Sequence, residues 1–439
     1  MEVFMKIAWF KEIISPEIGA YIAGYSVNDK SVAKLDDLYM TGLCMDDGDN
    51  RILLVSFDLL GLDDWYIQKI RSRCAAILNL PESAVMFTCT HTHSGPETRS
   101  LAVKPDQLNL PYLEELEKWL TAAVTKLAAT EFIPVDVYFY SQLCEENRNR
   151  CYITADNHGS FTAHRREVVP IAKGFADQEL GEVIFTTPGT PFPVYVIGNY
   201  AAHPLASHAP GLGGIRISAD YPGVFRNYIT AETGAEAMFI TGAAGDLVPL
   251  EDEQGSAAAE QAGRNIAKAV IKGMVDAPRN PARFLMKDAK VGSMLKTFKV
   301  GLREKYRRKS NKLPASYLDK DAVDLELQFL AVGDVALVGV PGELCCSVGQ
   351  EIKWHSPFRR TMIAYNSTAY FSYIGHANLL VAGGYEAMSQ RCSARGGLQL
   401  LNAAADGLFE LRNELHPEDG GNYPDDLPCD SVVNIPANR

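Results

Sequence analysis

Short apolar runs that end abruptly at a polar, chemically capable residue recur along this chain, and they limit its fold more than any other feature. Arg51–Leu60 (RILLVSFDLL), Ala84–Phe87, Val194–Ala201 (VYVIGNYA), Ala237–Thr241 and Val335–Val340 are too short for core helices. They are rich in β-branched and aromatic residues, the signature of strands buried on both faces. Helical spacing falls between them, at Trp65–Leu80, Leu110–Ala129, Ser218–Glu232, Ala257–Lys272 and Gly397–Leu411. Alternation of this kind predicts an α/β fold with mixed β-sheets flanked by helices. Val323–Val332 and Val335–Val340 around Gly333-Asp334 predict a hairpin, and Phe284–Val300 reads as a further antiparallel strand.

The residues just past each run carry the chemistry. The strand at 83–90 empties into Thr90-His91-Thr92-His93-Ser94-Gly95-Pro96, where Gly and Pro stop regular structure. The strand at 194–201 reaches His203-Pro204, that at 237–241 reaches Gly242-Ala243-Ala244-Gly245-Asp246, and that at 335–340 reaches Pro341-Gly342-Glu343. Ligands of α/β sheets bind beyond strand C-termini, so these ends are expected to converge on one edge as a metal site. Two or three imidazoles with one carboxylate is a catalytic-zinc donor set that leaves a position for water. Histidine is scarce, nine in 439 residues, which makes its placement at strand ends informative. Asp58 and Asp220 are expected either to orient the histidines or to cap and brace the core. Asp246 reads as a turn residue, and His208, in a Gly-rich loop, as an exposed one with substrate contact as the alternative.

Other chemistries find no support. HExxH, GxxxxGK[ST] and GxSxG are absent, and no GxGxxG opens a helix after a strand. A net charge of −12 argues against a nucleic-acid surface; the basic run Arg303–Lys312 reads as a solvated loop. Nine cysteines include no CxxC pair, which excludes a Cys-rich zinc module and a disulfide framework. No window supplies the roughly 18 apolar residues of a membrane span, and no secretory signal is visible, so the expected location is the cytoplasm. One domain over 1–439 is expected, with lobes at about 1–280 and 281–415 and a C-terminal strap at 416–439.

Five elements, HTHSGP at 91–96, NYAAHP at 199–204, GAAGDLVP at 242–249, VGVPGEL at 338–344 and the pair Tyr373/Tyr385, resemble in identity and order the neutral/alkaline non-lysosomal ceramidase family. The resemblance implies that family's catalytic-domain fold and one zinc ion held by His91, His203, Glu343 and Tyr373. It implies that His93 transfers protons beside the substrate carbonyl, with Tyr385 and an Asn-Arg arginine stabilising negative charge. That arginine is Arg150 or Arg148, with Arg150 preferred. The implied reaction is hydrolysis of an amide in a small-molecule or lipid-like substrate. Two departures stand out: Val248 occupies the position of the family's serine, and neither a leader or anchor nor the usual C-terminal β-sandwich domain is evident. Ceramide itself is therefore a poor expectation, and an ester hydrolase or a metal-binding protein without turnover is the alternative.

Overall fold

A computed structural model describes residues 5–25, 28–100, 108–153, 159–161, 172–208, 213–250, 254–307, 317 and 319–417. The expected strap, from residue 418 onward, and the part of the basic run beyond Arg307 lie outside the described residues. Two sheets pack face to face, with helices on both outer surfaces. The larger has eight strands in the order Glu236–Thr241, Pro193–Tyr200, Glu179–Thr186, Ile133–Leu143, Met5–Ile13, Tyr39–Asp46, Arg51–Phe57 and Val85–Cys89. Its terminal pairs, Arg51–Phe57 with Val85–Cys89 and Pro193–Tyr200 with Glu236–Thr241, are parallel; the pairs between them are antiparallel. The smaller sheet is ordered Val291–Gly301, Ala322–Val332, Val335–Gly339, Arg360–Ala364.

Burial on both faces explains the apolar runs. Ile52 and Leu54 point into the core shared by the two sheets, where they join Leu330, Val332 and Leu337. Their neighbours Leu53, Val55 and Phe57 point the other way, against the helices Asp64–Leu78 and Leu110–Ala128. The other half of the large sheet is covered by Asp220–Thr233 and Ser256–Arg279, and the outer face of the small sheet by Cys346–Trp354 and Gly396–Leu415. Ser256–Arg279 buries Ala259, Ala262, Ile266, Val270 and Met274, the spacing of a one-sided helix. Asp220–Thr233 stops where Gly234 enters the left-handed region at φ +76°, its N–H returning to the Thr230 carbonyl.

The hairpin forms with Val332 opposite Val335, so Gly333-Asp334 is the whole loop, and Gly333 takes φ +53°. Two expectations need correction. Residues 284–290 are not strand: Pro281–Phe284 is a helical turn, and the strand begins at Val291. Met5–Ile13, whose Lys6, Lys11 and Glu12 interrupt its apolar pattern, and Tyr39–Asp46 are central strands that the periodicity did not reveal. Lys11 is accommodated because its ammonium lies over the Tyr39 ring, 4.7 Å from the centroid.

The strand ends do converge. Cys89 donates its N–H to the Tyr365 carbonyl (3.4 Å), and Tyr365 donates to Thr241 (3.0 Å). The Thr241 hydroxyl donates to the Thr90 carbonyl (2.7 Å), and Gly242 N–H to Tyr200 (2.9 Å). Main-chain bonds thus fix the ends of four strands around one point.

Candidate metal centre

His91 sits just past its strand with φ +72°, an uncommon conformation for a residue with a side chain, and its N–H bonds the Leu59 carbonyl (2.9 Å). The kink turns the imidazole inward, where Nδ1 lies 2.7 Å from the Leu60 carbonyl. His93 N–H donates to the Pro204 carbonyl (3.0 Å), which ties this segment to the next histidine. His203 Nδ1 lies 2.6 Å from the Ala244 carbonyl. A ring nitrogen facing a carbonyl must carry the proton, so both rings turn an Nε2 lone pair toward Glu343. Glu343 Oε2 lies 3.4 Å from His91 Nε2 and 3.3 Å from His203 Nε2. One ring nitrogen from each of His91, His93 and His203 falls within a cluster 4.8 Å across.

The environment fits a cation. His93 is half-buried, yet both its ring nitrogens are inaccessible and have no hydrogen-bond partner among the described residues, although a buried unpaired polar group is costly. Burial, reinforced by the neighbouring His91, pushes the His93 pKa well below its ordinary value. Burial and then Arg150 lower His203 to about 4. Burial alone would raise the Glu343 pKa, and positive charge on the His91 and His203 rings, with their hydrogen bonds, more than reverses that; a cation between neutral rings and the carboxylate would take over the same role. Neutral imidazoles facing a buried carboxylate form a nitrogen-and-oxygen donor set suited to a divalent ion.

Glu343 pairs in register with Tyr373 across a short parallel bridge, which brings the predicted tyrosine alongside. The Tyr373 hydroxyl accepts from Arg150 Nη2 (3.1 Å). Arg150 is itself fixed by Glu386 (Nε to Oε1, 2.8 Å) and the Gly245 carbonyl (2.9 Å). Arg148 instead pairs with Val248 in the ladder between Asn147–Asn149 and Leu247–Pro249, so the arginine brought to the centre is Arg150. Val248 is buried there. Tyr385 stands at the solvent side, 44% exposed, its ring edge-on to Tyr373 at 5.5 Å.

Several contributors carry no motif of their own. The Tyr370 hydroxyl donates to Glu343 Oε1, and the Tyr365 hydroxyl approaches Oε2 at 3.4 Å. Asn366 Nδ2 lies 2.9 Å from His91 Nδ1. Only the density of aromatics at 370–373 and the acid after Tyr385 hint at these roles in the sequence. The orienting function considered for Asp58 and Asp220 falls to main-chain carbonyls instead. Asp58 is fully buried and paired with Arg226, while Asp220 accepts the N–H groups of Ser207 (2.6 Å) and Tyr221 (2.8 Å) at a helix start. Asp246 is a turn acceptor for Cys346 N–H (2.6 Å) and Asn149 (2.7 Å). His208 is half-buried against Tyr25, ring centroids 4.7 Å apart, and the same Tyr25 ring contacts His93 at 5.2 Å.

Gly24, at φ +104°, closes over His93: a Cβ there would stand 2.5 Å from His93 Nδ1. Gly24→Ala is expected to displace the ring and to slow any reaction that relies on it by about 10²-fold, the cost that a misplacement near 1 Å can carry. Steady-state rates with metal content measured in parallel check this. Wild-type rates in the variant would show that His93's position is immaterial.

The fold is neutral ceramidase-like: a mixed α/β structure whose large sheet is flanked by helices. Specifically, the chain superposes on the crystal structure of neutral ceramidase from Pseudomonas aeruginosa with a TM-score of 0.73 at 16% identity, covering 94% of this chain and 75% of that one. A second structure, a ceramidase complexed with C2, gives the same TM-score and identity over 94% and 76% of the two chains. No protein-family profile matches the sequence, and no curated protein matches it. Among the described residues, no helix is long and apolar enough to cross a membrane.

Proposed function

We propose that this protein is a zinc-dependent hydrolase that cleaves an amide bond in a small or acylated, lipid-like substrate. The observation that carries the reading is the buried convergence of His91, His93, His203 and Glu343, beside Arg150 and Tyr373. His91, His203 and Glu343 would hold the ion, with Tyr373 alongside and His93 as a further nitrogen donor or proton carrier. Held there, zinc supplies Lewis acidity toward a carbonyl and lowers the pKa of a water toward about 7. Likeness in fold to neutral ceramidases supports an acyl amide as the bond attacked. Val248 in place of the serine speaks for a substrate other than ceramide.

The chain's own groups have distinct tasks. His93, neutral and without a hydrogen-bond partner among the described residues, is placed to take up a proton at a ring nitrogen and pass it to the departing amine. Arg150 is held by Glu386 and Gly245, so its charge is aimed before substrate arrives; with the Tyr385 hydroxyl it stabilises oxygen charge as the carbonyl is attacked. The carbonyls of Leu60 and Ala244 keep His91 and His203 in the tautomer that presents Nε2.

Elemental analysis of untagged wild type and His91→Ala, with an acyl-amide hydrolysis assay, tests the reading. About one zinc per chain, lost in the variant together with amide cleavage, is expected. No metal in wild type after zinc is restored would sink it. Metal without turnover of any amide or ester would leave a binding protein.

A further inference from the structure

Among the described residues, Arg391 is a charge without a counterpart. It is 7% exposed, and its Nε and Nη1 are buried with no hydrogen-bond partner. No ion pair to it is formed there either, though arginine keeps its proton and an uncompensated buried charge is strongly unfavourable. The Ser389 carbonyl accepts from the Ser372 hydroxyl (3.0 Å) and the Gln390 side chain accepts the Gly375 N–H (3.0 Å), so the segment that carries Arg391 packs beside Tyr373 on the flank of the metal centre; among neighbouring groups, Tyr370 acts most strongly on its charge. Burial lowers its pKa to about 10, still far above neutrality.

Its neighbours make matters worse rather than better. The Arg99 guanidinium lies 4.3 Å from the centroid of the Tyr370 ring, and it is already matched by Glu97 through Nε (2.8 Å) and Nη2 (2.7 Å). Arg150 is likewise matched by Glu386. Glu343 is committed to His91, His203 and the Tyr370 hydroxyl. Among the described residues one positive charge therefore remains, on the segment that packs beside Tyr373, with Tyr370 and Arg99 acting on it.

We propose that Arg391, supported by Arg99, is an anion-binding subsite beside the metal centre, and that the substrate is an acyl amide bearing a carboxylate, such as an N-acyl amino acid. The proposal rests on the hydrolase reading for its reaction, in which water adds hydroxyl to the acyl carbon and hydrogen to nitrogen as the C–N bond breaks. A single surplus charge calls for a monoanion, which favours carboxylate over a doubly charged phosphate. Burying the substrate's carboxylate against Arg391 would satisfy the guanidinium only when substrate is present, and a neutral analogue would leave it unpaired.

The test compares octanoate release from N-octanoylglycine and from its neutral glycinamide, by the zinc-loaded full chain and by Arg391→Gln. Wild type is expected to prefer the carboxylate by about 10²-fold in kcat/KM, and the variant by no more than about threefold. Thermal unfolding gives a second readout. 4-Oxoundecanoate, the ketone analogue of N-octanoylglycine that cannot be hydrolysed, should raise the midpoint of wild type but not of Arg391→Gln, and the unliganded variant should melt higher than wild type, since a buried unpaired charge is gone. A preference or a 4-oxoundecanoate shift that survives the substitution overturns the subsite. So does a variant that melts lower with its preference intact, because Arg391 would then be a structural group. If neither amide is cleaved yet the 4-oxoundecanoate shift depends on Arg391, the subsite stands and the hydrolase reading falls.

Discussion

Glu343→Gln is expected, on the proposed hydrolase function, to reduce amide turnover by about 10³-fold or more and to leave the protein largely free of zinc. The substitution keeps volume and removes only the charge. In the native protein that charge sits 3.4 Å from His91 Nε2 and 3.3 Å from His203 Nε2, and it accepts the Tyr370 hydroxyl. It is the sole carboxylate of the donor cluster among the described residues, so its loss leaves imidazoles without the anion that offsets a divalent charge. The amide N–H groups of Gln would also donate to the two Nε2 lone pairs and occupy nitrogens that would otherwise face a cation. Metal content and kcat/KM should fall together while far-ultraviolet circular dichroism stays native. A variant that keeps one zinc per chain and turns over within tenfold of wild type would reduce Glu343 to a structural acceptor for Tyr370 and Tyr365.

Arg226→Met should be the most damaging substitution away from the centre, costing about 3–5 kcal/mol of stability. Asp58 and Arg226 are both essentially inaccessible, and Arg226 engages the carboxylate through Nη1 (3.0 Å) and Nη2. Removing the arginine leaves Asp58 with only the Tyr39 N–H (2.8 Å) and the Thr90 hydroxyl (3.3 Å). Asp58→Asn in the same background removes the stranded charge and should recover part of the loss, a coupling that a double-mutant cycle in urea measures directly. Zinc content should be retained in both variants, because neither residue touches a donor. Strictly additive single effects would mean that the two residues act independently.

The apolar strands and their breakers were legible in the sequence because a strand buried on both faces must be apolar along its whole length, and that is a local property. Arg51–Phe57, Val85–Cys89 and Pro193–Tyr200 end within a few residues of where the pattern stops. Met5–Ile13 was hidden because Lys6, Lys11 and Glu12 interrupt its apolar pattern, and Tyr39–Asp46 because Thr41 and Gly42 break its run, although both are buried in the sheet. The family resemblance supplied His91, His93, His203, Glu343, Tyr373 and Tyr385, and the fold brings them together. Choosing Arg150 over Arg148 required the ladder that sets Arg148 opposite Val248. Asp58 read equally well as a support for the histidines or as a core brace, and only its partner Arg226, 168 positions away, decides the matter.

The sequence by itself therefore determined which residues stand at strand ends and what donor chemistry they offer, since strand, turn and residue type are encoded within a few positions. Only the tertiary structure decided how those donors are aimed, which acids are spent on arginines, and that Arg391 has none among the described residues. Those outcomes depend on main-chain carbonyls and charged groups brought together from distant segments, and side-chain charge balance in a buried site is a sum over neighbours that no local pattern records.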